Sequence, residues 1–138
     1  MRLSTLLACL PLSFALLACH PNATIYRSAP GAIGPYSGSV EANYFVFASG
    51  KIASQREGSF SEEAHSAIDA VEEQIAESGL SLDQVVSVTV YLSDIELYEA
   101  FDEVYAARFS EPYPARTCVA VAALPAGARV EITAIAAR

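Results

Sequence analysis

At 138 residues, with 53% hydrophobic and 17% charged side chains, the chain has the size of one domain and enough apolar content for a real core, which excludes a disordered tail or a solvated repeat array. Its formal net charge of -8 repels a polyphosphate backbone, so nucleic acid is excluded as the expected partner. A single arginine can still create a local site for a small anion on an acidic protein.

The first 19 residues differ in kind from the rest. "MRLSTLLACLPLSFALLAC" has one basic residue followed by an apolar run shorter than the roughly 20 residues a membrane-crossing helix requires. It reads as a targeting segment, with 1–18 a signal peptide, and Leu16-Leu17-Ala18-Cys19 resembles a bacterial lipobox in which the cysteine carries the lipid. Residues 19–28 are then the lipidated cysteine and a polar tether, and 29–138 the folded domain. This places the protein in the cell envelope, on the periplasmic face of the outer membrane; an uncleaved extension would instead leave it in the cytoplasm. After cleavage Cys118 has no cysteine to pair with, because Cys19 is used by lipid.

In the domain, "YSGSVEA" (36–42) and the aromatic, β-branched "NYFVFASGKI" (43–52) read as two strands joined by a tight turn near Ala42-Asn43. Ala64, Ala67, Ile68, Val71 and Ile75 recur at helical spacing after Ser59 or Ser61 and before Gly79, which predicts a helix over 61–78 with a capped start and a glycine stop. "VVSVTVYL" (85–92) is almost wholly apolar, so it is expected to be a strand covered on both faces. A second helix starts near Ser93-Asp94, with Leu97, Phe101, Val104 and Tyr105 as its stripe, and ends before Pro112.

Two last strands, 115–123 and 129–137, flank "LPAGA", a Pro/Gly loop of hairpin type. The order is β-β-α-β-α-β-β, an α+β sheet with both helices on one face. Cys118, Ala120, Ala122 and Tyr91 are expected on the other face, where an apolar patch calls for a homo-oligomer.

Arg116 and Glu131 are the charges that need explaining. With Ala123 opposite Arg129, the hairpin register puts Arg116 opposite Ala136 and Glu131 opposite Val121, roughly 16 Å apart at about 3.3 Å per residue. They cannot pair within one chain. Each could be an ordinary exposed charge; alternatively, Arg116 waits unpaired for a carboxylate, which its planar fork can hold at two points, and Glu131 comes from a neighbouring subunit. Cys118 reads as a small buried hydrophobe rather than a nucleophile, and neither a metal-ligand spacing nor a phosphate loop is present.

Five stretches in order, "APGAIGPYSGSV" (29–40), "FVFASGKI" (45–52), "GLSLDQVVSVTVYLSD" (79–94), "FDEVYAARF" (101–109) and "PYPARTCVAVAALPAGARVEITAIA" (112–136), resemble the RidA family of enamine/imine deaminases. The resemblance implies the same β-β-α-β-α-β-β fold, a homotrimer around an internal barrel, and active sites between subunits. It implies hydrolysis of 2-enamino or 2-imino acids such as 2-aminoacrylate to 2-keto acids and ammonia, without cofactor or metal. Arg116 would grip the substrate carboxylate and Glu131 would position or activate water. Tyr36, Ser49, Gly50 and Cys118 would line the cleft. Asp102 stands where the family often has asparagine, and Lys51 where glutamine is frequent. An extra negative charge at Asp102 is expected to weaken carboxylate binding or change preference. These departures, with the envelope location, leave open an alternative: an envelope ligand-binding or holdase-like module that keeps the cleft without turnover. RNA cleavage, also suggested for the family, is opposed by the acidic charge.

Overall fold

A computed structural model describes residues 23–138. The expected signal peptide and Cys19 lie outside the described residues. Ile25–Arg27, expected to belong to a tether, instead forms a short strand, β1, paired antiparallel with β2 (Ser39–Ala42). β2 turns through Asn43-Tyr44 into β3 (Phe45–Lys51), with Asn43 at φ +55°, a left-handed conformation that asparagine tolerates better than most residues. The predicted hairpin is therefore present.

Helix α1 (Phe60–Ala76) begins at Ser59. Its hydroxyl accepts from Glu62 N–H at 3.3 Å, while the Glu62 carboxylate accepts from Ser59 N–H at 2.8 Å, which satisfies donors the first turn cannot satisfy itself. Gly79 ends the segment at φ +72°, where its amide and that of Leu80 cap the carbonyls of Ala76 and Ile75. Strand β4 (Val85–Leu92) follows, then a single 3-10 turn capped by Asp94, then α2 (Tyr98–Arg108). Strands β5 (Ala115–Ala120) and β6 (Val130–Ala137) complete a six-stranded sheet of order β1-β2-β3-β6-β4-β5.

The last two strands do not form a hairpin. β5 lies at the sheet edge, parallel to β4 with Arg116 beside Val88 and Cys118 beside Val90, whereas β6 is inserted between β3 and β4 and runs antiparallel to both. The cause is the helix between β4 and β5: a helical crossover returns the chain to the starting end of the strand it left, so the new strand pairs in parallel. The Pro/Gly segment then carries the chain over the end of β4. Val121 N–H donates to Leu92 O at 2.8 Å and Ser93 N–H to Arg129 O at 2.9 Å, so both ends of that segment are tied to the same strand terminus.

Both helices cover one face. Ala64, Ile68, Val71 and Ile75 of α1, with Phe101 and Val104 of α2, bury against Val46, Val88, Val90, Leu92, Val130, Ile132, Ala134 and Ala136. Strand parity corrects the expected faces: Cys118 and Ala120 align with the core-facing Val90 and Leu92, so they point toward the helices, and Ala122 lies beyond the strand. Tyr91 is on the open face, as expected. Among the described residues, β4 is consequently covered on one face only. Phe45, Phe47, Tyr91, Val119 and Ile135 share the open side, and Phe45, Phe47 and Val119 keep 44%, 43% and 40% of their surface in solvent, a patch of the kind that mediates association.

One charged pair ties helix to sheet. Glu63 is buried to 1% side-chain exposure; it accepts from Arg129 Nε at 2.5 Å and from Arg129 N–H at 2.7 Å, just before β6 begins. Removing one partner strands the other. Glu63→Ala should lower unfolding free energy by about 2–3 kcal/mol, less than for a fully buried pair because Arg129 retains solvent contact. The shift in a urea unfolding midpoint measures this, and a loss below about 1 kcal/mol would show that the pair does not hold α1 in place.

Candidate functional site

The candidate residues fall into two clusters. The first lies on the open face around a cavity of about 580 Å³ whose walls include Tyr36, Ser49, Gly50, Ile52, Pro125 and Glu131. A β-bulge between Ala48 and Lys51 interrupts the β3–β6 ladder and gives β3 one extra residue. Ser49 stays on the open side, with its hydroxyl donating to Ser37 O at 2.7 Å and its N–H to Gly38 O at 3.0 Å. Gly50 sits directly under the Glu131 carboxylate: a Cβ there would overlap Oε1, so only glycine permits this approach.

Past the bulge, Lys51 has switched to the helix side. Its Nζ donates to Gln74 Oε1 at 2.7 Å, and burial pulls its pKa below the ordinary lysine value against the opposing charges of Glu77 and Glu73. Lys51 therefore borders the cavity with its ammonium committed to α1.

The second cluster is at the β5 edge, under α2, around a cavity of about 330 Å³ lined by Asp102, Tyr105, Ala106, Tyr113, Pro114 and Arg116. Arg116 was expected to be unpaired within its own chain. Instead its Nη2 donates to Asp102 Oδ1 at 2.6 Å and to Tyr98 Oη at 3.1 Å. The guanidinium carbon also lies 4.5 Å from the Tyr105 ring centre and 5.6 Å from that of Tyr98. Burial alone would lower the arginine's pKa, but the hydrogen bond and charge of Asp102, with Tyr98, raise it above the ordinary value. The Asp102 pair was hidden in the sequence because it depends on β5 lying beside β4 beneath α2, and the hairpin register placed Arg116 elsewhere.

Tyr105, read from the sequence only as part of the α2 stripe, is the floor of this cluster. It stacks on Phe109 with ring centres 4.3 Å apart, its hydroxyl is buried with no hydrogen-bond partner among the described residues, and burial pushes its pKa up to about 12. The signal for this aromatic floor was Tyr113 of "PYPAR" and Tyr105 of α2, the latter assigned by helical spacing to the packing stripe. Cys118 lies two residues from Arg116 on the same side; burial raises its thiol pKa despite the nearby arginine, so it remains protonated, in keeping with a packing role.

Arg116 and Glu131 do not meet within the chain. Arg116 aligns through Val88 with Ala134, three residues along β6 from Glu131, and the two side chains leave opposite faces of the sheet. The sequence-based conclusion of separation holds although its register was wrong. The clusters thus hold an arginine and a glutamate apart, each beside a cavity open to solvent. Among the described residues, no group of three or more His, Cys, Asp or Glu side chains is placed to hold a metal, and no helix is long and apolar enough to cross a membrane.

A family model described as Endoribonuclease L-PSP matches residues 26–138. Protein HMF1 of Saccharomyces cerevisiae is 42% identical over 118 residues, 82% of this chain and 92% of that protein. The human 2-iminobutanoate/2-iminopropanoate deaminase is 39% identical over 114 residues, 78% of this chain and 83% of its own. The crystal structure of RidA from the Antarctic bacterium Psychrobacter sp. PAMC 21119 superposes with a TM-score of 0.75 at 37% identity, covering 80% of this chain and 94% of that one. The chain belongs to the endoribonuclease L-PSP family, with RidA among its relatives.

Proposed function

We propose that this protein is a homotrimeric deaminase that hydrolyses 2-enamino and 2-imino acids, 2-aminoacrylate among them, to 2-keto acids and ammonia. The observation that carries the reading is the division of the site: an arginine at a sheet edge and a glutamate on the opposite, apolar face can act on one molecule only when two copies bring them together. The human relative's name, 2-iminobutanoate/2-iminopropanoate deaminase, supports the same chemistry. The family description names RNA cleavage, but a formal charge of -8 opposes a phosphate backbone.

In this scheme the substrate carboxylate docks on Arg116 of one subunit, and Glu131 of the next holds a water against the C2 carbon. The enamine tautomerises to the imine, C3 gaining a proton as the nitrogen loses one. As the water oxygen bonds to C2, Glu131 accepts a water proton and passes it to the imine nitrogen, giving the carbinolamine; Glu131 then takes the hydroxyl proton as the C=O bond forms and delivers it to the nitrogen as the C–N bond breaks, and ammonia departs from the 2-keto acid. Ser49 and Tyr36 shape the pocket, and Gly50 lets the Glu131 carboxylate lie close to the backbone. The scheme needs no cofactor. A second reading, a ligand-binding envelope module without turnover, is favoured by one observation, the occupation of Arg116 by Asp102.

The apolar face of Phe45, Phe47 and Val119 is the surface assigned to the trimer interface. The lipobox-like Leu16-Leu17-Ala18-Cys19 supports a further part of the proposal: lipid attachment at Cys19 and residence in the cell envelope.

Three measurements test these points. With 2-aminoacrylate generated by a pyridoxal-phosphate dehydratase, Arg116→Ala should reduce kcat/KM by about 100-fold and Glu131→Gln should reduce kcat by about 10²–10⁴-fold, both remaining oligomeric. Wild-type protein that is folded and assembled yet inactive would move the assignment to the binding module. Phe47→Asp should shift the sedimentation mass from three chains toward one and abolish activity together with it; an unchanged mass would place the interface elsewhere. Labelled palmitate should be incorporated by the wild type and not by Cys19→Ser, and absence of label in both would remove the anchor.

A further inference from the structure

We infer that Asp102 determines ligand selectivity by competing internally for Arg116, so that the site takes 2-oxo and 2-imino acids with a single carboxylate and disfavours those with a second carboxylate on the side chain. The inference rests on the carboxylate-anchor role of Arg116 proposed above and adds the class of substrate that this anchor admits.

A guanidinium offers two edges for bidentate binding, Nε with Nη2 and Nη1 with Nη2, and both require a hydrogen of Nη2. In this chain Nη2 donates to Asp102 Oδ1 at 2.6 Å and to Tyr98 Oη at 3.1 Å, which uses both of its hydrogens. An incoming carboxylate gains a two-point grip only by displacing one of these acceptors. Arg116 is the fixed partner, its side chain 19% exposed and backed by the Tyr105 ring; Asp102, with 53% exposure, has room to swing aside.

Displacement does not remove the aspartate's charge. It leaves two carboxylates beside one guanidinium in a cavity of about 330 Å³ where, among the described residues, Arg116 is the one cation in the lining. A ligand with one carboxylate meets this repulsion once. A dianionic ligand meets it twice: that lining holds no second cation, and of the two in the cavity the next subunit would bring, Lys51 donates to Gln74 and Arg56 to Ala53 O, beside the carboxylate of Glu131.

The test is calorimetric binding of 2-oxoglutarate and of 5-methyl-2-oxohexanoate, which replaces the distal carboxylate by a branched pair of methyl groups of similar shape. Both are titrated into the full-length protein. Wild type should bind the neutral side chain more tightly. Asp102→Asn should tighten 2-oxoglutarate about tenfold and the neutral ligand about threefold, so that the preference narrows, and Asp102→Ala should do the same. Arg116→Ala should lose both ligands. The inference is overturned if wild type binds neither ligand, if both Asp102 variants leave the affinities within about twofold of wild type, or if they shift the two ligands equally. Binding is read separately from turnover in the dehydratase-coupled assay, so selective binding without imine hydrolysis would sink the deaminase assignment alone, and hydrolysis with no change in selectivity would sink this inference alone.

Discussion

A strand that returns through a helix pairs in parallel with the strand it left, and the rest of the molecule follows from that constraint on β4, α2 and β5. It places β5 at an edge beneath α2, so Arg116 emerges on the helix side at the rim of the sheet. The other side of β4 is left for β6, whose alternation sends Val130, Ile132, Ala134 and Ala136 into the core and Glu131 out through the opposite face. One topological choice therefore separates the two charged groups of the candidate site.

The two arginine–carboxylate pairs serve different ends because their surroundings differ. Glu63 is enclosed and binds both the side chain and the backbone of Arg129, so its geometry is determined from every direction, and it joins the start of α1 to the start of β6. Asp102 stands half in solvent and touches Arg116 through one nitrogen. The first pair is expensive to open; the second can exchange with a ligand of the same chemistry. Aromatic rings reinforce the contrast, since Tyr105 backs the guanidinium while its partner Asp102 stands exposed to solvent.

The open face completes the functional picture. A sheet covered by helices on one side only exposes Phe45, Phe47 and Val119, and the same face carries Ser49, Gly50 and Glu131 around a cavity. Association that buries the aromatic residues would also bring that cavity toward a neighbouring subunit. Under the proposed association, assembly and site formation are linked through one hydrophobic surface, because Arg116 and Glu131 lie apart within a single chain.

Local patterning was sufficient for most of the elements. Helical spacing from Ala64 to Ile75, the Ser59 cap, the Gly79 stop and the Val85–Leu92 strand are all properties of near neighbours in the chain, and they appear at or close to the expected positions. The five matching stretches likewise single out Arg116, Glu131, Ser49, Gly50 and Asp102. Strand order was not legible, because "LPAGA" suits a hairpin and a crossover loop equally, and only competition for the place beside β4 decides between them. From that followed the facing of Cys118, the burial of Glu63 and the Asp102–Arg116 contact. The sequence by itself determined which residues are helical, extended, apolar or charged, since those depend on neighbours along the chain; the tertiary structure alone decided which charges meet, since that depends on which strands become neighbours in space.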